Sequence, residues 1–223
     1  MERTGAVVED LRSAIIRGEF TPGQRLVELE LAAELSTSRG TVRQALAVLE
    51  NEGLVVHQRN RGATVRPVSL EQAIEITEVR AVVEGLCARR ASAAATAADK
   101  KRLHVLGDEM RAAVASGDVP AYNASSQEAH HVIRDLAAQE SAAQVLDRLR
   151  YQSVRYQYGI TLLPGRLEQG LGEHLAVIEA VTAGDPERAE AEMRAHLTSV
   201  IAALRKLGGW NAAMPKGLLG HVS

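Results

Sequence analysis

A three-residue polar turn, Ser36-Thr37-Ser38, separates two short helical patterns and sets what the N-terminal third of the chain can become. Before it, Leu29, Leu31, Ala32 and Leu35 recur at helical spacing. After it, Val42, Ala45, Leu46 and Leu49 do the same from about Arg39 to Asn51, with Ser38 well suited to cap the start. An earlier helix is marked by Val7, Val8, Leu11, Ile15 and Ile16 and stops at Gly18, ahead of Thr21-Pro22-Gly23. Gly53 ends the helix after the turn. Leu54-Val55-Val56 and Ala63-Thr64-Val65 then read as two strands around His57-Gln58-Arg59-Asn60-Arg61-Gly62, a hairpin with a basic tip. Two helices about a tight turn, the second opening on Arg39 and Arg43 one turn apart, suit the DNA major groove, and the hairpin is a wing.

The net charge of −2 looks unsuited to a polyanion until it is mapped along the chain. Residues 1–35 carry four arginines against seven acidic groups, whereas residues 36–67 carry five arginines against two glutamates. The positive charge is local to the turn, the helix after it and the wing, and it is all arginine, since the first lysine is Lys100. A planar guanidinium can read guanine or grip phosphate, which a point charge cannot do as selectively. Cys87 is the only cysteine, which excludes an intrachain disulfide and a CxxC metal site. No apolar run is long enough to cross a bilayer and the first residues carry no signal-peptide core, so no membrane partner and a cytoplasmic location are expected.

The run Leu31-Ala-Ala-Glu-Leu-Ser-Thr-Ser-Arg-Gly-Thr-Val-Arg-Gln-Ala-Leu-Ala-Val-Leu-Glu-Asn-Glu-Gly-Leu-Val55, followed by Arg61-Gly62-Ala-Thr-Val65, resembles the DNA-binding domain of GntR-family regulators. The resemblance implies that Arg39, Thr41 and Arg43, with Ser38 at the helix start, contact DNA. It implies that Glu28 supports or joins those contacts, and that the wing, with Arg61 and Gly62, enters the minor groove. The chain departs from the family at Gly40-Thr41, often Thr-Pro, and at Leu29, where some members carry an arginine that contacts DNA. Taken alone, Arg39 and Arg43 could equally be a solvated face with ion pairs to Glu28 or Glu34; the turn, the cap and the wing together favour the DNA reading.

Ser69-Leu70-Glu71-Gln72 is a capping-box sequence, and beyond it the pattern is helical, without a convincing alternating strand. Helices are expected near 69–92, 96–116, 119–138, 141–162, 167–183 and 186–207, broken at Gly, Pro and polar clusters. The expected organisation is mainly α: a winged helix-turn-helix over residues 1–67, an all-α antiparallel bundle over 68–208 and a flexible tail over 209–223.

Histidine placement is the informative feature of the bundle. Asp185-Pro186 opens a helix after a tight turn, with His174 eleven residues before Asp185 and His196 eleven after it. In an antiparallel hairpin such residues sit at one height. A helix through Tyr122, Ala129, Ile133, Leu136 and Ala137 turns His130 inward and His131 about 100° away. Each histidine could be a satisfied core residue, or the three could share a metal ion.

The segments Glu78-Val-Arg80-Ala-Val-Val-Glu84, Gly117-Asp118, Gln139, Glu173-His174 and Gly184-Asp185 through Arg194-Ala-His196-Leu197 resemble the FCD ligand-binding domain of the FadR branch of that family. The resemblance implies a divalent transition metal, Zn²⁺ by preference, on His130, His174 and His196. Ser126 stands where the family has a ligating aspartate, and Ala129 where it has an aromatic residue. The resemblance also places Arg80 in the effector cavity, where it would grip a carboxylate; an i,i+4 ion pair with Glu84 is the alternative. The expected function is a homodimeric regulator, not an enzyme: a repressor on a pseudo-palindromic double-stranded operator, released by a small organic acid. Three alternatives stay open: a metal-free cavity for a larger or acyl-type ligand, an activator, and a metal-dependent hydrolase.

Overall fold

The computed structural model describes residues 2–17, 19–58 and 62–213, which form two compact units, one built on residues 2–69 and the other on residues 70–146 and 156–212. The first contains α1 (Glu2–Arg17), β1 (Arg25–Leu26), α2 (Glu28–Glu34), α3 (Arg39–Asn51), β2 (Val55–Gln58) and β3 (Gly62–Val65). Its core gathers Leu11 and Ile15 from α1, Leu31 from α2, Val42, Leu46 and Leu49 from α3, and Val55 and Val65 from the sheet. These are the apolar faces read from periodicity, and their common burial orients α3.

The wing differs from expectation by one strand. The sheet is antiparallel with order β1-β3-β2; Val55 pairs with Val65 and Gln58 with Gly62, and Arg25 pairs with Thr64 on the other side of β3. A two-residue strand is too short to show a period of two, so only turn chemistry could announce it. Gly23 supplies that turn with φ +77°, donating its N–H to Val65 O at 2.9 Å, while Val65 N donates to Gln24 O at 2.9 Å. Arg59 and Arg61 lie outside the described residues.

The second unit is a bundle of α4 (Leu70–Ala94), α5 (Ala97–Ser116), α6 (Val119–Leu136), α7 (Glu140–Thr161), α8 (Arg166–Ala183) and α9 (Pro186–Ala213). Every expected helix is present. The breaks have the expected chemistry: Thr96 and Asp99 form a reciprocal capping box on α5, and Asp118 accepts from Ala121 N at 2.9 Å on α6. Between α8 and α9, Gly184 takes the left-handed conformation and Asp185 Oδ1 accepts from Arg188 N at 3.0 Å. At its C-terminal end α9 departs from expectation: it passes Leu207, continues through Gly208-Gly209 and ends at Ala213, so the start of the expected tail is helical. Residues 214–223 lie outside the described residues.

Small side chains let the bundle close. Ala73, Ala88, Ala91, Ala180 and Ala189 are fully buried. At Gly85 of α4 an added Cβ would lie 2.9 Å from Arg194 Cγ of α9, so the glycine leaves room for the arginine side chain to lie across α4. The packing of α6 against α4 and α8, with α9 returning beside α8, gathers the three histidines on the inside of the bundle.

Candidate DNA-reading face and metal centre

Ser38 caps α3 as expected, its Oγ accepting from Thr41 N at 3.1 Å and lying 2.9 Å from Thr41 Oγ1. Arg39 and Arg43 are exposed on the first turns of α3. Both turn toward Glu28 at the start of α2. Arg43 donates through Nε and Nη2 to the two carboxylate oxygens at 2.9 and 2.7 Å, and Arg39 Nη2 is 3.7 Å away. The ion-pair alternative for these arginines is thus the arrangement of the free protein, with Glu28 as the partner. The Arg43 hydrogen bonds hold the Glu28 carboxyl below its usual range, and Glu28 in turn raises Arg43. Leu29, beside Glu28, is exposed. Gly62 opens β3 at φ +73°, a conformation that a side chain would strain.

In the second unit the structure brings His130, His174 and His196 together from α6, α8 and α9. One potential ligand atom from each lies within 4.8 Å of the others. The ring centroids are separated by 5.3 Å (His130 to His174), 5.4 Å (His130 to His196) and 4.3 Å (His174 to His196). His174 and His196 thus meet across the hairpin of α8 and α9, and α6 turns His130 inward. The His131 side chain is 44% exposed and contacts Asp135, whereas that of His130 is 20% exposed.

The Nδ1 edges of the three rings face outward to fixed partners. His174 Nδ1 donates to Gly170 O at 2.7 Å and lies 3.1 Å from Tyr122 Oη. His196 Nδ1 lies 2.9 Å from Glu173 Oε2. His130 Nδ1 lies 2.7 Å from Glu84 Oε2, an ion-pair contact whose angles fall short of a hydrogen bond. With Nδ1 engaged, Nε2 is the atom each imidazole has left for a ligand. Each carboxylate is held in turn by an arginine: Glu84 by Arg80 Nε at 2.7 Å, and Glu173 by Arg166 Nη1 and Nη2 at 3.0 and 2.9 Å. Gly170 makes this possible on α8, since a Cβ there would sit 2.5 Å from Tyr122 Oη.

Residues 3–65 match the family model for bacterial regulatory proteins of the gntR family, and residues 75–199 match the FCD domain. The chain belongs to the GntR family of bacterial regulators. Two relatives are similar over nearly the whole chain. The putative L-lactate dehydrogenase operon regulatory protein of Escherichia coli K12 is 26% identical, over 90% of this chain and 85% of its own length. The probable D-xylose utilization operon transcriptional repressor of Paenarthrobacter nicotinovorans is 27% identical, over 90% and 88%. Among solved structures, E. coli McbR/YncC superposes with a TM-score of 0.80 at 22% identity, covering 92% of this chain and 98% of that one, which shows the fold. The GntR regulator is therefore a transcription regulator with a winged helix-turn-helix and an FCD domain, and its relatives are regulators and not enzymes. No helix among the described residues is long and apolar enough to cross a membrane.

Burial pushes His174 well below the ordinary imidazole value, and the neighbouring His196 and His130 push it further. Burial lowers His196 too, although its bond to Glu173 opposes the shift. Both rings are thus neutral at pH 7, the form that binds metal. Burial disfavours the ionised form of both carboxylates but is outweighed. Arg80 and His130 hold Glu84 well below the carboxylate range, while His196 and Arg166 hold Glu173 at about 2.

Ser126, one turn before His130, is buried with its Oγ donating to Asn123 O of its own helix at 3.1 Å. Arg80 is buried in the i,i+4 ion pair with Glu84, which joins it to His130 through one carboxylate. A small cavity beside His130 and His174, lined also by Ala129, Ile133, Val177 and Met193, has room for a water-sized guest. Glu84, Glu173, Arg166 and Tyr122 were not singled out as site residues from sequence. Glu173 precedes His174 and Glu84 follows Arg80 by one turn, but only the packed helices show which histidine each carboxylate meets.

Proposed function

We propose that this GntR regulator is a homodimeric cytoplasmic repressor, bound to a pseudo-palindromic operator and released by a small carboxylate metabolite. Its sensor would be a divalent transition metal, Zn²⁺ by preference, held by His130, His174 and His196. The observation that carries the metal reading is the common orientation of three clustered imidazoles, each with Nδ1 against a carboxylate or carbonyl. That donor set suits Zn²⁺, which accepts three protein nitrogens and keeps a further position for an outside ligand. When bound, the ion would supply a fixed positive charge for an acid. Arg80 stands behind His130 with its guanidinium anchored by Glu84, placing a second positive charge next to the site.

On the DNA side, Arg39, Thr41 and Arg43 would read the major groove from α3, with Ser38 fixing its first turn, Glu28 positioning the arginines and Arg61 and Gly62 serving the wing. One such helix buries too little surface to find a single genomic site, which is the reason for two copies.

The test pairs metal content with operator binding. Purified protein should carry about one transition metal per chain, and a chelator should lower its melting temperature. His174→Ala should abolish the metal, and His131→Ala, on the outer side of the same helix as His130, should retain it. Equal metal loss in the two variants, or metal-free protein whose operator complex responds fully to the acid, would overturn the metal reading. The sensor would then be a metal-free cavity with Arg80 as the acid-binding group.

A further inference from the structure

Helix α4 has two faces with different business. Its inner face buries Ala73, Thr77, Arg80, Glu84, Cys87, Ala88 and Ala91. On the outer face Glu75, Val79, Val82, Leu86, Arg89 and Ala93 follow one another at alternating spacings of four and three residues, and every one is exposed. That alternation keeps them on a single straight seam, the a and d stripe of a helix that packs against another helix. A solitary exposed valine is ordinary. Here Val79 is 49% exposed, Val82 53% and Leu86 38%, so three large apolar side chains meet solvent on one stripe. Beside them Val83 packs toward Ala142 and Leu146 of α7, where Val145 is exposed too.

The charges around the stripe identify what covers it. Glu75 and Glu78 lie at its N-terminal side and Arg89 and Arg90 at its C-terminal side. Glu75 and Glu78 lie beyond the first turn of α4, and Arg89 and Arg90 lie before its last turn, so the helix dipole does not account for them. Val82 is the midpoint, with Glu75 seven residues before and Arg89 seven residues after, roughly 10 Å to either side along the axis. Such a stripe is complementary to itself once reversed. We infer that α4 pairs antiparallel with α4 of a second copy across a two-fold axis at Val82. Glu75 of each copy then faces Arg89 of the other, and Val79, Val82 and Leu86 form the apolar centre of an isologous interface. Arg89 reaches Glu190 of its own chain at 3.3 Å while remaining half exposed, so it is already placed along the edge of the seam. This inference rests on the homodimer proposed above and names its surface.

The experiment is sedimentation equilibrium on the full-length chain, with far-UV circular dichroism as a check of folding. The substituted positions are exposed, so the helical spectrum should persist in each variant. Val82→Glu places two like charges at the axis and should raise the dimer dissociation constant about 100-fold. Glu75→Arg and Arg89→Glu should each weaken self-association by about tenfold, since each sets like charges in contact twice across the axis. Mixed in equal amounts, these two variants should associate with each other about as tightly as the wild type, because both contacts then join opposite charges. A wild-type chain monomeric at tens of micromolar would overturn the homodimer itself. A dimeric wild type whose Val82→Glu variant dimerises equally well would overturn the α4 interface alone. Mixed variants that fail to recover affinity would overturn the antiparallel pairing.

Discussion

Glu173→Gln is the substitution that most sharply tests how the histidine cluster is built. Both oxygens of Glu173 receive donors only: Arg166 Nη1 and Gln169 at Oε1, both at 3.0 Å, and Arg166 Nη2 and His196 Nδ1 at Oε2, both at 2.9 Å. Glutamine keeps the shape but sets an NH₂ group against one of these pairs and removes the charge that neutralises a buried guanidinium. Breaking one side of a buried ion pair costs about 3–5 kcal/mol. The fall of the carboxyl from 4.5 to about 2 points to the same order, since that difference corresponds to roughly 3 kcal/mol. In a chain of this length such a loss should lower the melting temperature by about 10 °C.

The sign with pH follows from a depressed carboxyl. The wild-type contribution is present above the unfolded value of 4.5 and is lost as pH falls through about 2, so the gap between wild type and variant should close across that window. Urea denaturation of both proteins at pH 7 and at steps below pH 4.5 measures it. Metal affinity should drop about 10–100-fold, because His196 loses the charged acceptor that orients its Nδ1. A stability loss under about 1 kcal/mol with metal affinity intact would refute the reasoning.

Arg43→Ala should weaken specific operator binding by about 1–3 kcal/mol if the guanidinium reads a base, and an unchanged affinity in a gel-shift titration would confine Arg43 to its pair with Glu28. Ser126→Asp should tighten metal binding in a competition titration, by placing an anionic oxygen one helical turn from His130. The same substitution should weaken a carboxylate effector, which would meet a like charge at the site. Metal affinity unchanged or lowered would show that position 126 does not face the ion. Gly170→Ala gains helix propensity worth about 1 kcal/mol but drives a methyl into Tyr122 Oη. Overpacking of this kind costs about 1–3 kcal/mol, so thermal denaturation should show a net loss, and a more stable variant would mean that Tyr122 moves freely.

Much of this architecture was legible because its signals are local. The cap of Ser38, the turn at Gly184-Asp185 and the inward side of α6 each follow from a few adjacent residues. The equal spacing of His174 and His196 about Asp185 needed only the assumption of a hairpin. What sequence did not disclose is pairing at a distance. Glu84 meets His130 across helices, and Arg166 meets Glu173 two turns along α8, where several exposed contacts would have fitted the spacing equally well. The two-residue β1 has no period to detect. The continuation of α9 through Gly208-Gly209 runs against the low helix propensity of glycine, which is a weak preference that tertiary context overrides.

The closed pair between Glu28 and Arg43 bears on how this regulator responds to ionic strength. Binding to DNA ordinarily releases about 0.9 of a condensed counterion for each phosphate that a cation neutralises. Arg43 arrives already neutralised. If it leaves Glu28 for a phosphate, the abandoned carboxylate recruits a cation from solution, and if it stays, it displaces none. Either route removes that arginine from the ion count, and Arg39, 3.7 Å from the same carboxylate, is discounted in part. The logarithmic salt slope of operator binding should therefore be shallower than the number of arginines on the reading face would indicate. A base that can hydrogen-bond Arg43 without dislodging Glu28 would then gain over bare phosphate, and the acidic residue on α2 would sharpen discrimination between operator and random DNA.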